Sequence, residues 1–173
     1  MAIILLFHIK TLLTSTKMRD KRFVAEHRGG PLKKEQQYQL IKWACASVKH
    51  VLHLTDKKID ERIKNAMQTA KDWEQGKASA GDARKASVAA HAAARESSDT
   101  ASIAIARAAG HAVATAHMAD HSLGGALYAL KAVQSAGKSI DVEKKWQIKQ
   151  LPPEIKDFVL SAMSVKEKSF KLK

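Results

Sequence analysis

One cysteine in 173 residues excludes an intramolecular disulfide framework and a cysteine-rich zinc module. Only 5% of the residues are aromatic, which leaves little bulk for the inner faces of a sheet sandwich. No run alternates apolar and polar positions with the β-branched enrichment of a strand. No segment has the ~20 apolar residues of a transmembrane helix. The apolar start Ala2–Phe7 is interrupted by His8 and Lys10, and it lacks the positive start, length and cleavage motif of a secretory signal. GxSxG, Walker A, HExxH and GxGxxG patterns do not occur in a usable context. Paired carboxylates suited to acid–base work are not visible either. The residues therefore make no case for an enzyme or for a bound cofactor.

Alanine and positive charge are abundant. Of the 29 alanines, 18 lie between Ala78 and Ala119, and alanine is the best helix former and a poor strand former. Hydrophobic residues at 45% and charged residues at 27% are ordinary globular usage. The length fits one domain. The formal charge of +13 is unevenly spread. Residues 1–77 carry 16 basic and 8 acidic groups, residues 78–137 carry 5 and 4, and residues 138–173 carry 9 and 5. A nearly neutral, small-residue centre flanked by lysine-rich segments reads first as a buried core with solvated helices around it. It reads second as a basic face for nucleic acid, an acidic protein or a membrane surface. Lysine's excess over arginine and the absence of stacking aromatics among the lysines weaken nucleic-acid readout.

The spacing predicts an all-α chain of six or seven helices in a compact bundle with an alanine-rich central pair. Gly29-Gly30-Pro31 starts a helix that runs from Lys34 to about Leu54. A second carries Ile59, Ile63, Ala66, Ala70 and Trp73 at the 3.6 period and closes at Gly76. A third, from about Ser79 to Glu96, aligns Ala83, Ala86, Ala90 and Ala94. Asp99 is the expected N-cap of a fourth, running from Thr100 to about Met118. This helix is nearly all small residues and is expected at the centre. A fifth spans His121 or Ser122 to Gly137, a sixth Ser139 to about Gln150, and a seventh Pro153 to about Glu167, after the break at Pro152-Pro153. The change of character at Met18 predicts that residues 1–17 lie outside a single domain of residues 18–173 and that translation starts at Met18; the alternatives for residues 1–17 are a short interfacial helix or a weak signal. Trp43 and Trp146, if exposed, would support a homodimer.

The polar residues of the alanine-rich centre are the candidate site: Asp82, Arg84, His91, Arg95, Arg107, His111, His117, Asp120 and His121. His117 and His121 share a helical face if the helix continues through them. Asp120 between them makes a metal site conceivable, with His91 reaching in from a neighbouring helix. The plainer reading has these histidines hydrogen-bonded to Asp120, Asp99 or backbone within a small-residue core. A third reading is a pocket that faces a ligand or partner. Buried arginine needs a counter-charge, so Arg84, Arg95 and Arg107 are expected in an internal ion-pair network with Asp82, Asp99 and Asp120. Cys45, among apolar stripe positions, reads as a core residue.

The segments MRDKRFVAEHRGGPL, KWACASVKHVLHL, GDARKASVAAHAAARE and above all GHAVATAHMADHSLGGALYALKAV resemble the immunity-five-like helical family of bacterial immunity proteins from polymorphic toxin systems. The resemblance runs from about Met18 to the C-terminus, with GHAVATAHMADH its most specific part. It implies a small cytoplasmic, non-catalytic protein that binds a cognate toxin domain and blocks it. It carries over no active-site residue. The rival expectations are a basic nucleic-acid-associated protein and a metal- or small-ligand-binding domain centred on His117, Asp120 and His121.

Overall fold

The computed structural model describes residues 19–172, so the expectation about residues 1–17 and a start at Met18 lies outside the described residues. The described chain holds seven α-helices. They are α1 Lys34–Val51, α2 Glu61–Glu74, α3 Ala80–Glu96, α4 Thr100–Ala114, α5 His121–Ser135, α6 Ile140–Lys149 and α7 Pro153–Glu167. Short 3-10 turns, Lys21–Phe23 and Glu26–Arg28, precede α1. Among the described residues the only β-type pairing is an isolated bridge between Ala25 and Leu32. No helix among them is long and apolar enough to cross a membrane.

Helix starts follow local capping chemistry. Ser79 Oγ accepts from the Asp82 amide at 3.0 Å, and the Asp82 carboxylate accepts from the Ser79 amide at 2.9 Å, a reciprocal cap on α3. The Asp99 carboxylate accepts from the Ser102 amide at 2.8 Å and caps α4. Gly76 and Gly137 follow α2 and α5 with φ of 73° and 68°. This left-handed conformation lets glycine end a helix without a Cβ clash.

The alanine pattern sets the packing. α4 lies at the centre and contacts α1, α2, α3 and α5. Its Ala104, Ala108, Ala109 and Ala112 are buried, as is the α3 stripe Ala83, Ala86, Ala90 and Ala94. This first core, of alanine, valine and isoleucine, also takes Ile41, Ala44 and Val48 from α1. A second core, built on Phe23, Leu40, Trp43, Leu127, Leu130 and Ile155, joins the N-terminal turns to α1, α5 and α7. Helices α1 and α5 thus form the wall between a small-residue core and a leucine-rich one, each burying two faces.

Two expectations are corrected here. α4 ends at Ala114, not near Met118. The side-chain amide of Gln37, only 5% exposed, donates to the carbonyls of Thr115 at 2.8 Å and Ala116 at 3.1 Å. Those are carbonyls that a helix end leaves unpaired, and the chain turns through residues 115–120 into α5. Trp43 is only 3% exposed and donates its indole N–H to the Gln147 carbonyl at 2.9 Å, so it offers no surface to a second copy. Trp146 is half-buried and stacks on His50 at 3.7 Å. His50 Nδ1 in turn lies 2.7 Å from the buried carboxylate of Glu143.

Candidate functional site

Four imidazoles meet along a seam between α3, α4 and α5. His91 comes from α3, His111 from the last turn of α4, His117 from the turn that follows, and His121 from the first position of α5. The His91 and His111 rings lie edge to face with centroids 5.1 Å apart. His111 and His121 lie at 5.2 Å, and His117 and His121 at 5.4 Å. His111 also stacks on Tyr128 of α5 at 5.2 Å and 15°. Two helical glycines make the room. A Cβ on Gly110 would stand 2.8 Å from His91 Cε1, and one on Gly124 would stand 2.7 Å from His111 Nδ1. Glycine within a helix costs roughly 0.5–1 kcal/mol relative to alanine; here it lets two rings approach helix backbones closely.

Electrostatics keep these rings uncharged. Burial, reinforced by His121, His91, Lys166 and Arg107, pushes His111 down to about 3. Burial lowers His91, with Arg107 and Arg95 adding to it. Burial lowers His117, with Arg84 next in weight. It also lowers His121, although Asp120 pulls the other way. The 3.1 Å between His111 Nδ1 and His121 Nδ1 is then a hydrogen bond between neutral rings, one donating and one accepting. The Nδ1 atoms of His91 and His117 are buried without a partner.

The remaining sequence-predicted residues separate. Asp120 pairs with Arg19 at 3.2 Å, and its backbone carbonyl accepts from Lys166 at 3.5 Å. Asp82 and Asp99 serve as helix caps. Arg84 and Arg95 are exposed on α3, and Arg107 is half-buried with its guanidinium carbon 6.0 Å from the Tyr128 ring centre. Among the described residues none of these three arginines forms an ion pair, so the expected internal network is not there. Its carboxylates are held by amides at helix starts and by Arg19. His111 and His121 bond to each other, His91 and His117 make ring contacts, and among the described residues none of the four bonds to Asp120 or Asp99. The shared helical face of His117 and His121 also fails, because α4 ends before His117. Among the described residues no group of three His, Cys, Asp or Glu comes together to hold a metal ion, so the metal set drawn on His117, Asp120 and His121 is not assembled. Cys45 packs against the small-residue core, and burial pushes its thiol up to about 12.

Sequence reasoning missed Tyr128, Gly110 and Gly124. A glycine placed mid-helix among alanines was the available signal that a bulky neighbour lies against it.

The fold and seam define an all-α domain with an imidazole-lined, arginine-bearing face and no assembled metal set among the described residues. The chain belongs to the family described as Imm-5 like putative immunity protein, whose model matches residues 30–154. That span runs from the turn before α1 to the start of α7. No curated protein and no solved structure matches the chain.

Proposed function

We propose that this chain is the immunity partner of a bacterial toxin domain, which it binds and neutralises in the cytoplasm by occlusion, with no chemistry of its own. Membership of the immunity family across residues 30–154 carries the reading. The physical character of the chain agrees with it. An inhibitor needs a surface that is already ordered before it binds, so that little freedom is lost on association. Two packed cores and capped helices supply that order. A charge of +13 speeds encounter with an acidic partner face and makes the association rate fall as salt rises.

Co-expression is the test. Candidate toxin domains from the same genome are expressed in a sensitive host with and without the chain. Growth restored together with a stoichiometric complex on gel filtration is the expected result. Unrelieved toxicity with no complex overturns the reading. The same +13 charge supports one other function, sequence-independent nucleic-acid association. Its mark is duplex affinity that falls linearly in log–log form with salt through counterion release.

A further inference from the structure

Three of the arginines that form no ion pair among the described residues, Arg84, Arg95 and Arg107, come together on α3 and α4. On α3, Arg84, Val88, His91 and Arg95 recur at i, i+4, i+7 and i+11, which is a single helical stripe. Val88 is 60% exposed. The contact between His91 and His111 joins this stripe to α4, where Arg107 stands one turn before His111. Arginine is scarce in this chain, with 7 against 23 lysines. Arg19, Arg22 and Arg62 each pair with an aspartate, whereas Arg84, Arg95 and Arg107 pair with none. The carboxylates of the same elements are engaged elsewhere: Glu96 faces Arg62 at 2.7 Å, Asp82 and Asp99 cap helices, and Asp120 holds Arg19.

We propose that the α3–α4 face carrying Arg84, Val88, His91, Arg95 and Arg107 is the surface on which this chain docks an acidic protein segment. Planar guanidinium forks match carboxylates two bonds at a time, and an exposed apolar residue between two of them suits a segment that mixes Asp or Glu with an apolar side chain. A nucleic acid is disfavoured, because the ring that could stack a base, Tyr128, is already taken by His111, Arg107 and Phe170. That the acidic segment belongs to a toxin domain rests on the immunity reading. The face itself does not.

The experiment uses the full chain, isotopically labelled, titrated at low salt with a peptide of about ten alternating glutamates and leucines, and separately with a short DNA duplex. Chemical-shift changes from the peptide are expected on the α3 stripe, Arg107 and the His91 and His111 rings. The double variant Arg84→Glu/Arg95→Glu, at two exposed positions, is expected to weaken peptide binding roughly tenfold or more. Lys145→Glu/Lys168→Glu, also exposed and equal in charge change, is expected to weaken it less than about threefold. Arg84→Ala/Arg95→Ala repeats the test without introducing new charge. Equal losses in the two charge-reversal variants, shifts spread over the lysine-rich helices, no peptide binding, or tighter duplex binding to this same face would each overturn the proposal. Because the peptide contains no toxin, a mapped face with no protection in co-expression would remove the immunity reading alone. Protection without a mapped face would remove this one alone.

Discussion

Acidification is expected to destabilise this protein above the window in which its perturbed carboxylates act, and His111 sets the size of the effect. An unfolded histidine titrates at 6.5, and the folded His111 at about 3. Between those values the unfolded chain binds a proton that the folded chain refuses, so stability rises with pH across the window and is lost as pH falls. The slope for one such group is about 1.4 kcal/mol per pH unit. Going from pH 6.5 to pH 5 therefore costs about 2 kcal/mol from His111 alone. His91, His117 and His121 are shifted in the same direction by burial and add to the loss. The perturbed carboxylates act in a separate, lower window. Asp20, Asp82 and Asp99 fall below 3.8, Asp60 to about 2, and Glu61 and Glu96 below 4.5. Urea denaturation at pH 7 and pH 5, followed by the fluorescence of buried Trp43, measures the difference. A midpoint equal or higher at pH 5 would refute the reasoning. In His111→Phe, which keeps a ring against Tyr128 but has no proton to gain, the pH 7 to pH 5 loss should shrink by about 2 kcal/mol. An undiminished loss in that variant would move the effect to other groups.

Gly124→Ala and Gly110→Ala should each destabilise by about 1–3 kcal/mol through overpacking against an imidazole, read as a lower urea midpoint. Gly81→Ala in the first turn of α3, where the nearest atom to a new Cβ is 3.4 Å away, should stabilise by about 0.4–1 kcal/mol through lost chain entropy in the unfolded state. Gln37→Ala removes both donors from the end of α4 and should cost about 1–3 kcal/mol, with faster amide exchange in residues 115–120 as its local signature. Cys45, half-buried with its thiol pushed up to about 12, should react more slowly with iodoacetamide at pH 8 in native protein than in urea; equal rates would contradict the raised thiol.

The helix ends that sequence reading located correctly are those whose chemistry is local. Ser79 with Asp82, Asp99, Ser139, Pro153, Gly76 and Gly137 each act within a few residues of the end they define. The end of α4 was misplaced because its partner is not local. The chain from His111 to Met118 has no breaker of its own, and the side chain that satisfies its carbonyls, Gln37, lies 78 residues away from Thr115. The burial of Trp43 was not legible for a related reason. Its neighbour on the far side of α1 is the second core, and periodicity on one helix does not reveal that two faces of that helix are buried.

The candidate site was legible as a set of residues and illegible as an arrangement. Counting along an unbroken helix sets His111 and His117 about 120° apart, a geometry that would scatter the rings. The turn after Ala114 instead returns the chain so that His121 faces His111 from α5. The ion-pair expectation assumed that a carboxylate near an arginine in an apolar region must neutralise it. Helix starts impose an earlier demand, since their amides need acceptors whatever the tertiary fold. Asp82 and Asp99 stand where that demand falls, and Asp120 is taken by Arg19 from outside the alanine-rich region. Among the described residues the arginines of α3 and α4 are therefore left without an ion-pair partner, and it is this remaining charge on which the proposed docking face rests.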